Sequence, residues 1–197
     1  MIPELGHFCL VVALCLAAAQ SFFGLAGSAE RRPSWIAVTR PAAYGHFVFV
    51  ALAFGFLTHA MIVNDFSVAY VANHSNSELP LIYRVSAVWG AHEGSLLLWG
   101  LILAVWTVAV CALSRNLPAS MSARVIGVLG LVSIGFLLFT LATSNPFDRL
   151  IPAAIEGRDL NPLLQDPALA IHPPMLYMGY VGFAVAFAFA VAAMLEG

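Results

Sequence analysis

Histidine is the residue type in this chain with the clearest ligand chemistry, because a neutral imidazole can give a lone pair to iron or zinc. Among the six histidines, His172 is distinctive: two prolines and a long apolar run follow it, in AIHPPMLYMGY. A residue before proline is pushed out of the helical conformation, whereas proline suits the first turn of a helix. The pattern predicts that His172 caps a helix beginning at Pro173, with its own backbone outside that helix.

The predicted cap position also bears on the charge of the His172 ring. The positive end of a helix dipole disfavours an imidazolium nearby and so favours the neutral form that binds metals. Position and charge state both suit an iron or zinc ligand. A hydrogen bond from His172 to a neighbouring loop carbonyl explains the pattern equally well, and the residues alone leave both interpretations open.

A second imidazole stands in VWGAHEGSLLLWG, where His92 and Glu93 lie between Gly90 and Gly94 at the start of another apolar run. A carboxylate is favourable near a helix N-terminus, and the glycines allow close approach of a helix or a flat ligand. Trp89 is a candidate stacking surface for such a ligand, although an aromatic belt at the membrane interface also accounts for it. The pattern puts both imidazoles at one membrane depth and does not decide whether they meet.

The elements that must position these side chains are long apolar helices. Hydrophobic residues make up 61% of the chain and charged residues only 9%, where a soluble domain has about a quarter charged. Five blocks without Lys, Arg, Asp or Glu are long enough to cross about 30 Å of hydrocarbon: 6–29, 42–63, 95–113, 125–143 and 175–195. Composition therefore predicts an all-α membrane protein, a polytopic bundle of five transmembrane helices forming one domain over 1–197.

The arginines predict the orientation of this bundle. All eight basic residues are arginines, and five of them flank the two short loops, against three in the long loops 64–94 and 144–174. Short arginine-rich loops face the cytoplasm. The N-terminus and both long loops are therefore predicted to lie outside, and the C-terminus inside.

Two local patterns predict further structure. In the second long loop, Asn161 followed by Pro162 predicts the start of a short helix that Asp166-Pro167 ends. In the last apolar block, small residues recur every four positions, which favours close helix packing on one of two faces. These two rows are Gly182, Ala186 and Ala190, and Ala184, Ala188 and Ala192.

At the two histidine motifs the chain resembles the cytochrome c maturation protein F (CcmF) family, whose relatives include nitrite-reductase-associated and CcsA-type haem-handling proteins. VWGAHEGSLLLW and LQDPALAIHPPMLYMGY occur in the family's order, each at a predicted helix start. The resemblance extends over essentially all 197 residues and corresponds to the N-terminal third of the family architecture.

The resemblance implies a haem lyase component of the bacterial inner membrane, or of an organellar one. Such a protein binds haem at its outer face and helps attach the vinyl groups to the CxxCH thiols of apocytochrome c. His172 matches the family's outer-face haem-iron ligand, whereas His92 and Trp89 stay candidates for haem binding on the residues alone. Implied partners are a CcmE-type haem chaperone, apocytochrome c, CcmH/CcmI-type maturation subunits and membrane lipid, with no nucleic acid.

The chain also departs from the family pattern. The tryptophan-rich haem-presenting loop and a second outer-face histidine are absent, and the sequence ends after the fifth predicted span. We therefore expect a split subunit or a truncated fragment that requires a partner carrying the tryptophan-rich motif. Alone, it is not expected to complete haem attachment.

Other classes of function predict different features of the sequence. A haem transporter predicts broken helices and polar residues deep in the membrane, which the charge-free spans disfavour. A docking subunit without a haem site predicts that His172→Ala leaves haem content unchanged. Arg84, Arg149 and Arg158 are candidates for the haem propionates, although each also suits an ordinary loop ion pair. No Ser-His-Asp, phosphate-loop or paired-carboxylate pattern supports a hydrolase or an ATPase.

Overall fold

Five long helices lie side by side in the computed structural model, which describes residues 1–197. The helices in chain order are α1 (Ile2–Ala29), α2 (Pro33–Ile62), α3 (Ala69–His74), α4 (Leu81–Ala87), α5 (His92–Leu113), α6 (Ala119–Thr143) and α7 (Pro167–Glu196). The two short helices α3 and α4 belong to the first long loop. The other five are each long and apolar enough to cross a membrane. The prediction of an all-α membrane protein with five spans is confirmed.

The second long helix begins earlier than its composition predicts, because one arginine lies inside it. α2 starts at Pro33 rather than at residue 42, and it includes Arg40 and Pro41. The Arg40 guanidinium donates to the carbonyl oxygen of Cys111 at 2.9 Å and to Ser122 Oγ at 3.0 Å. These acceptors near the end of α5 and the start of α6 stabilise the charge of Arg40. Arg40 therefore lies within α2 instead of marking its start.

The last helix also begins earlier, and here the prediction about His172 is wrong. α7 starts at Pro167, so His172 and Pro173 lie within the helix rather than at its start. The cap is Asp166, whose Oδ1 accepts from the first-turn N–H groups of residues 168 and 169 at 2.9 and 3.1 Å. Because the dipole effect falls off within the first turn, it no longer bears on the charge of the His172 ring.

α7 continues through its proline pair because a side chain replaces a missing donor. Pro174 has no N–H to give to the carbonyl of Ala170, four residues earlier. The indole Nε1–H of Trp89 donates to that oxygen at 2.9 Å. This hydrogen bond also attaches the turn between α4 and α5 to the start of α7.

We expect Trp89→Phe to lower the free energy of unfolding by about 1–2 kcal/mol, because the Ala170 carbonyl loses its donor. Amide exchange in the first turns of α7 should accelerate, as measured by mass spectrometry in detergent. Trp99→Phe is the matched control, since Trp99 stacks on Phe136 with ring centroids 3.7 Å apart and phenylalanine preserves that contact. Equal acceleration in both variants would contradict the role given to the Trp89 indole.

The two long loops pack together at the end of the bundle where α1 begins. Val68 and Arg149 form an antiparallel bridge between them. The backbone N–H of Arg158 donates to the carbonyl oxygen of Ala72 at 2.7 Å. Within the second loop, Pro162–Gln165 forms a 3-10 turn capped by the Asn161 side chain. We call this the loop end of the bundle, and the opposite end the arginine-rich end.

Of the two rows of small residues in α7, the structure buries only one. Ala188 and Ala192 are fully buried against α5 and α6, whereas Ala186 and Ala190 are exposed. α7 is the least covered of the five long helices. Its exposed face therefore runs the length of the bundle.

Candidate functional site

The turn between α4 and α5 is held by one buried tyrosine at the loop end. The hydroxyl of Tyr70 lies 3.1 Å from the carbonyl oxygens of both Ala87 and Val88, and can donate to either. It also accepts from the backbone N–H of Ala91 at 3.2 Å. Burial raises the pKa of Tyr70, so the hydroxyl stays protonated and remains a donor. This tyrosine therefore positions the segment that carries Trp89 and the start of α5.

Tyr70 was not identified from the sequence, but Gly94 carried a signal for it. A Cβ at position 94 would overlap the Val88 carbonyl oxygen and the Tyr70 hydroxyl, and would lie 2.8 Å from Tyr70 Cζ. Close approach of the tyrosine explains this glycine of the HEG motif, with no flat ligand required. The Val88 carbonyl is part of the backbone, so it cannot rotate away from an added Cβ as a side chain can.

His92 lies in the first turn of α5, as its motif predicts. Its Nε2 is 2.9 Å from Ser144 Oγ, and its ring meets Phe139 edge-on with centroids 6.1 Å apart. One nitrogen of the ring is therefore already in a hydrogen bond with the protein, at the junction of α5 and α6.

His172 is exposed on α7 near the loop end, and neither of its ring nitrogens is hydrogen-bonded to the protein. The helix turns about 200° between Ala170 and His172, so the histidine faces away from the side that meets Trp89. No hydrogen bond or ring contact joins His172 to His92. The structure also contains no cluster of three or more His, Cys, Asp or Glu side chains that could hold a metal ion.

An apolar cavity of about 430 Å³ lies between α4 and the start of α7. Trp89 and Tyr83 line one side, and Pro167 and Ile171 line the other. Ile171 adjoins His172 in the chain. Trp89 thus offers an apolar surface to this cavity while its indole N–H is committed to α7.

Of the three arginines considered for propionates, only Arg158 has a side chain free of protein partners, and it is exposed. Arg84 donates to the carbonyl oxygens of Leu79 and Ser77, each at 2.7 Å. Arg149 Nε is 2.9 Å from a Glu4 carboxylate oxygen. Arg84 therefore stabilises the first long loop from within, and Arg149 attaches the second long loop to the start of α1.

Residues 89–196 match the family of cytochrome C assembly proteins. The matched region contains Trp89, His92 and His172 and excludes the four other histidines. The chain belongs to this family.

Its relatives identify the branch of the family that it resembles. It is 62% identical over 198 residues to the cytochrome c-type biogenesis protein CcmF of Pseudomonas aeruginosa, and 55% identical to CcmF of Escherichia coli K12. It aligns over 100% of its length with a solved structure of the cytochrome c heme lyase CcmF, at 29% identity and a TM-score of 0.86. The resemblance to CcmF is confirmed.

These matches cover the whole of this chain but only part of each relative. The alignments span 30% and 31% of the two bacterial CcmF proteins and 31% of the solved chain. The chain therefore corresponds to about a third of the length of these relatives.

Proposed function

We propose that this chain provides an outer-face haem site of a cytochrome c maturation haem lyase, with His172 as the axial ligand. Cargo haem would be held there before its attachment to the CxxCH thiols of apocytochrome c. The observation that carries the proposal is the unpartnered, exposed imidazole of His172, near the loop end and within the region matched to the cytochrome c assembly family.

The two histidines in the matched region differ in their availability. His92 has Nε2 in a hydrogen bond with Ser144, so using that nitrogen for iron would first require breaking the bond. His172 has both nitrogens free. The flanking Pro173 and Pro174 restrict the backbone beside it, so a ligand at this position would be presented from a rigid segment. Rigid support of this kind is what an oriented metal ligand requires.

One other side chain at the loop end could support the cargo, because the free Arg158 guanidinium suits a propionate. The apolar cavity beside Trp89 lies on the face of α7 that points away from His172, so we do not assign it to a porphyrin bound at His172. Haem itself supplies the vinyl carbons that form the thioether bonds. This chain would contribute binding and orientation, which accelerate a reaction by holding its partners in the productive arrangement.

The location and partners belong to the same proposal. We place the protein in a bacterial inner membrane with the loop end in the periplasm, because five of the eight arginines lie at the opposite end. A haem chaperone, apocytochrome c and the other maturation subunits would then meet the chain at its loop end.

The experiment is an absorption spectrum of the purified chain after haem is added and unbound haem is removed. The parent protein should show a Soret band of ligated haem, and His172→Ala should lose most of it. His59→Ala is the matched control, because His59 is also exposed, has no hydrogen-bond partner and lies towards the loop end, but is outside the matched region.

Two outcomes would contradict the proposal. An unchanged spectrum in His172→Ala would favour a docking subunit without its own haem site. An equal loss of the Soret band in His59→Ala would show that haem binding is not specific to His172 among the exposed imidazoles near the loop end.

A further inference from the structure

The arginine-rich end of the bundle contains a second cavity, of about 360 Å³, remote from the loop end. It lies where α2 meets the start of α6 and the 3-10 turn Ser114–Asn116. Its polar wall consists of Thr39, Arg40, Arg115 and Ser122. The rest of the wall is apolar, so the cavity combines charge with a surface suited to hydrocarbon.

The positive charge of this wall is not neutralised by the protein. Neither Arg40 nor Arg115 forms an ion pair with a carboxylate, whereas Arg124 at the same end is paired with Glu196. The partners of Arg40 are neutral hydroxyl and carbonyl oxygens, such as Ser122 Oγ at 3.0 Å. Two uncompensated guanidinium groups on one cavity favour an anion.

The first turn of α6 contributes donors as well. α6 begins at Ala119 beside the cavity, and no side chain caps its N-terminus. The first N–H groups of a helix have no partner within it and attract phosphate groups.

We infer that this cavity binds a phosphate group, with Arg40 and Arg115 as its donors. The apolar part of the wall makes the headgroup of an anionic phospholipid the natural source, and free phosphate shares the same chemistry. Basic pockets between transmembrane helices bind lipid headgroups in this way. The inference is independent of the proposed haem site.

The experiment measures the melting temperature of the detergent-purified chain during titration with three probes: phosphatidylglycerol, diacylglycerol and inorganic phosphate. Phosphatidylglycerol should raise the melting temperature, and diacylglycerol, which lacks the phosphate, should not. Arg115→Gln should raise the half-stabilising concentration about fivefold, the effect of one arginine near a lipid headgroup. Arg31→Gln is the control: Arg31 is exposed at the same end without an ion pair and outside the cavity.

Stabilisation by inorganic phosphate alone would support a free-anion site. Equal effects of phosphatidylglycerol and diacylglycerol, no stabilisation by any probe, or equal responses of the Arg31 and Arg115 variants would overturn the inference.

Discussion

Gly94→Ala is expected to lower the free energy of unfolding by about 3 kcal/mol or more, at the upper range of overpacking effects. The added methyl group would occupy the space of the Val88 carbonyl oxygen and the Tyr70 hydroxyl. The backbone at Val88 must then move, and with it the turn that carries Trp89. For a chain of this size the melting temperature should fall by about 6–12 °C.

Gly100→Ala in the same helix is the matched control. A Cβ at Gly100 would meet nothing within 4 Å, and alanine is the better helix former. This variant should therefore melt at the same temperature or slightly higher. Similar losses in both variants would show that general sensitivity of α5 to substitution, rather than the Tyr70 contact, causes the effect.

Tyr70→Phe is expected to cost about 2–4 kcal/mol, because it removes the hydroxyl that bonds to three backbone groups. The Ala91 N–H loses its acceptor, and the carbonyl oxygens of Ala87 and Val88 lose their shared donor. The measurement is thermal unfolding in detergent. Tyr83→Phe is the control, since the Tyr83 hydroxyl is not hydrogen-bonded; an equal loss there would contradict the role of Tyr70.

Tyr70→Phe is also expected to change how the stability of the protein depends on pH. Burial raises the pKa of Tyr70 in the folded chain, whereas the unfolded side chain titrates near pH 10. As the pH rises, the unfolded state therefore releases this proton before the folded state does. The contribution of the Tyr70 hydroxyl to the free energy of unfolding is fully present below about pH 10 and declines as pH rises above it. Tyr70→Phe should show a smaller decline at alkaline pH than the parent protein. If the stability of the two proteins declined in parallel with rising pH, the raised pKa of Tyr70 would be contradicted.

At the histidine motif, the structure contradicts the predicted helix start, while the role of His172 stays a prediction. The AIHPP pattern identified His172, which the structure leaves free and exposed. The conformational preferences of proline nevertheless predicted that the helix starts at Pro173. The start depended on Asp166 as a cap and on a donor 81 residues away in the chain, Trp89 Nε1. Local propensity could not reveal a distant partner.

Some features of this protein followed from the sequence by itself: the class of all-α membrane protein, the five spans, and the placement of His92 and His172 towards the same end of the helix bundle. Apolar length and motif position are properties of contiguous residues, and transfer of such segments from water to hydrocarbon depends on them alone. Only the tertiary structure decided where α2 and α7 begin, why Gly94 must be glycine, and which of His92 and His172 has no hydrogen-bond partner. Each of these depends on hydrogen bonds or close contacts between elements, where a group from one segment satisfies or excludes a group from another.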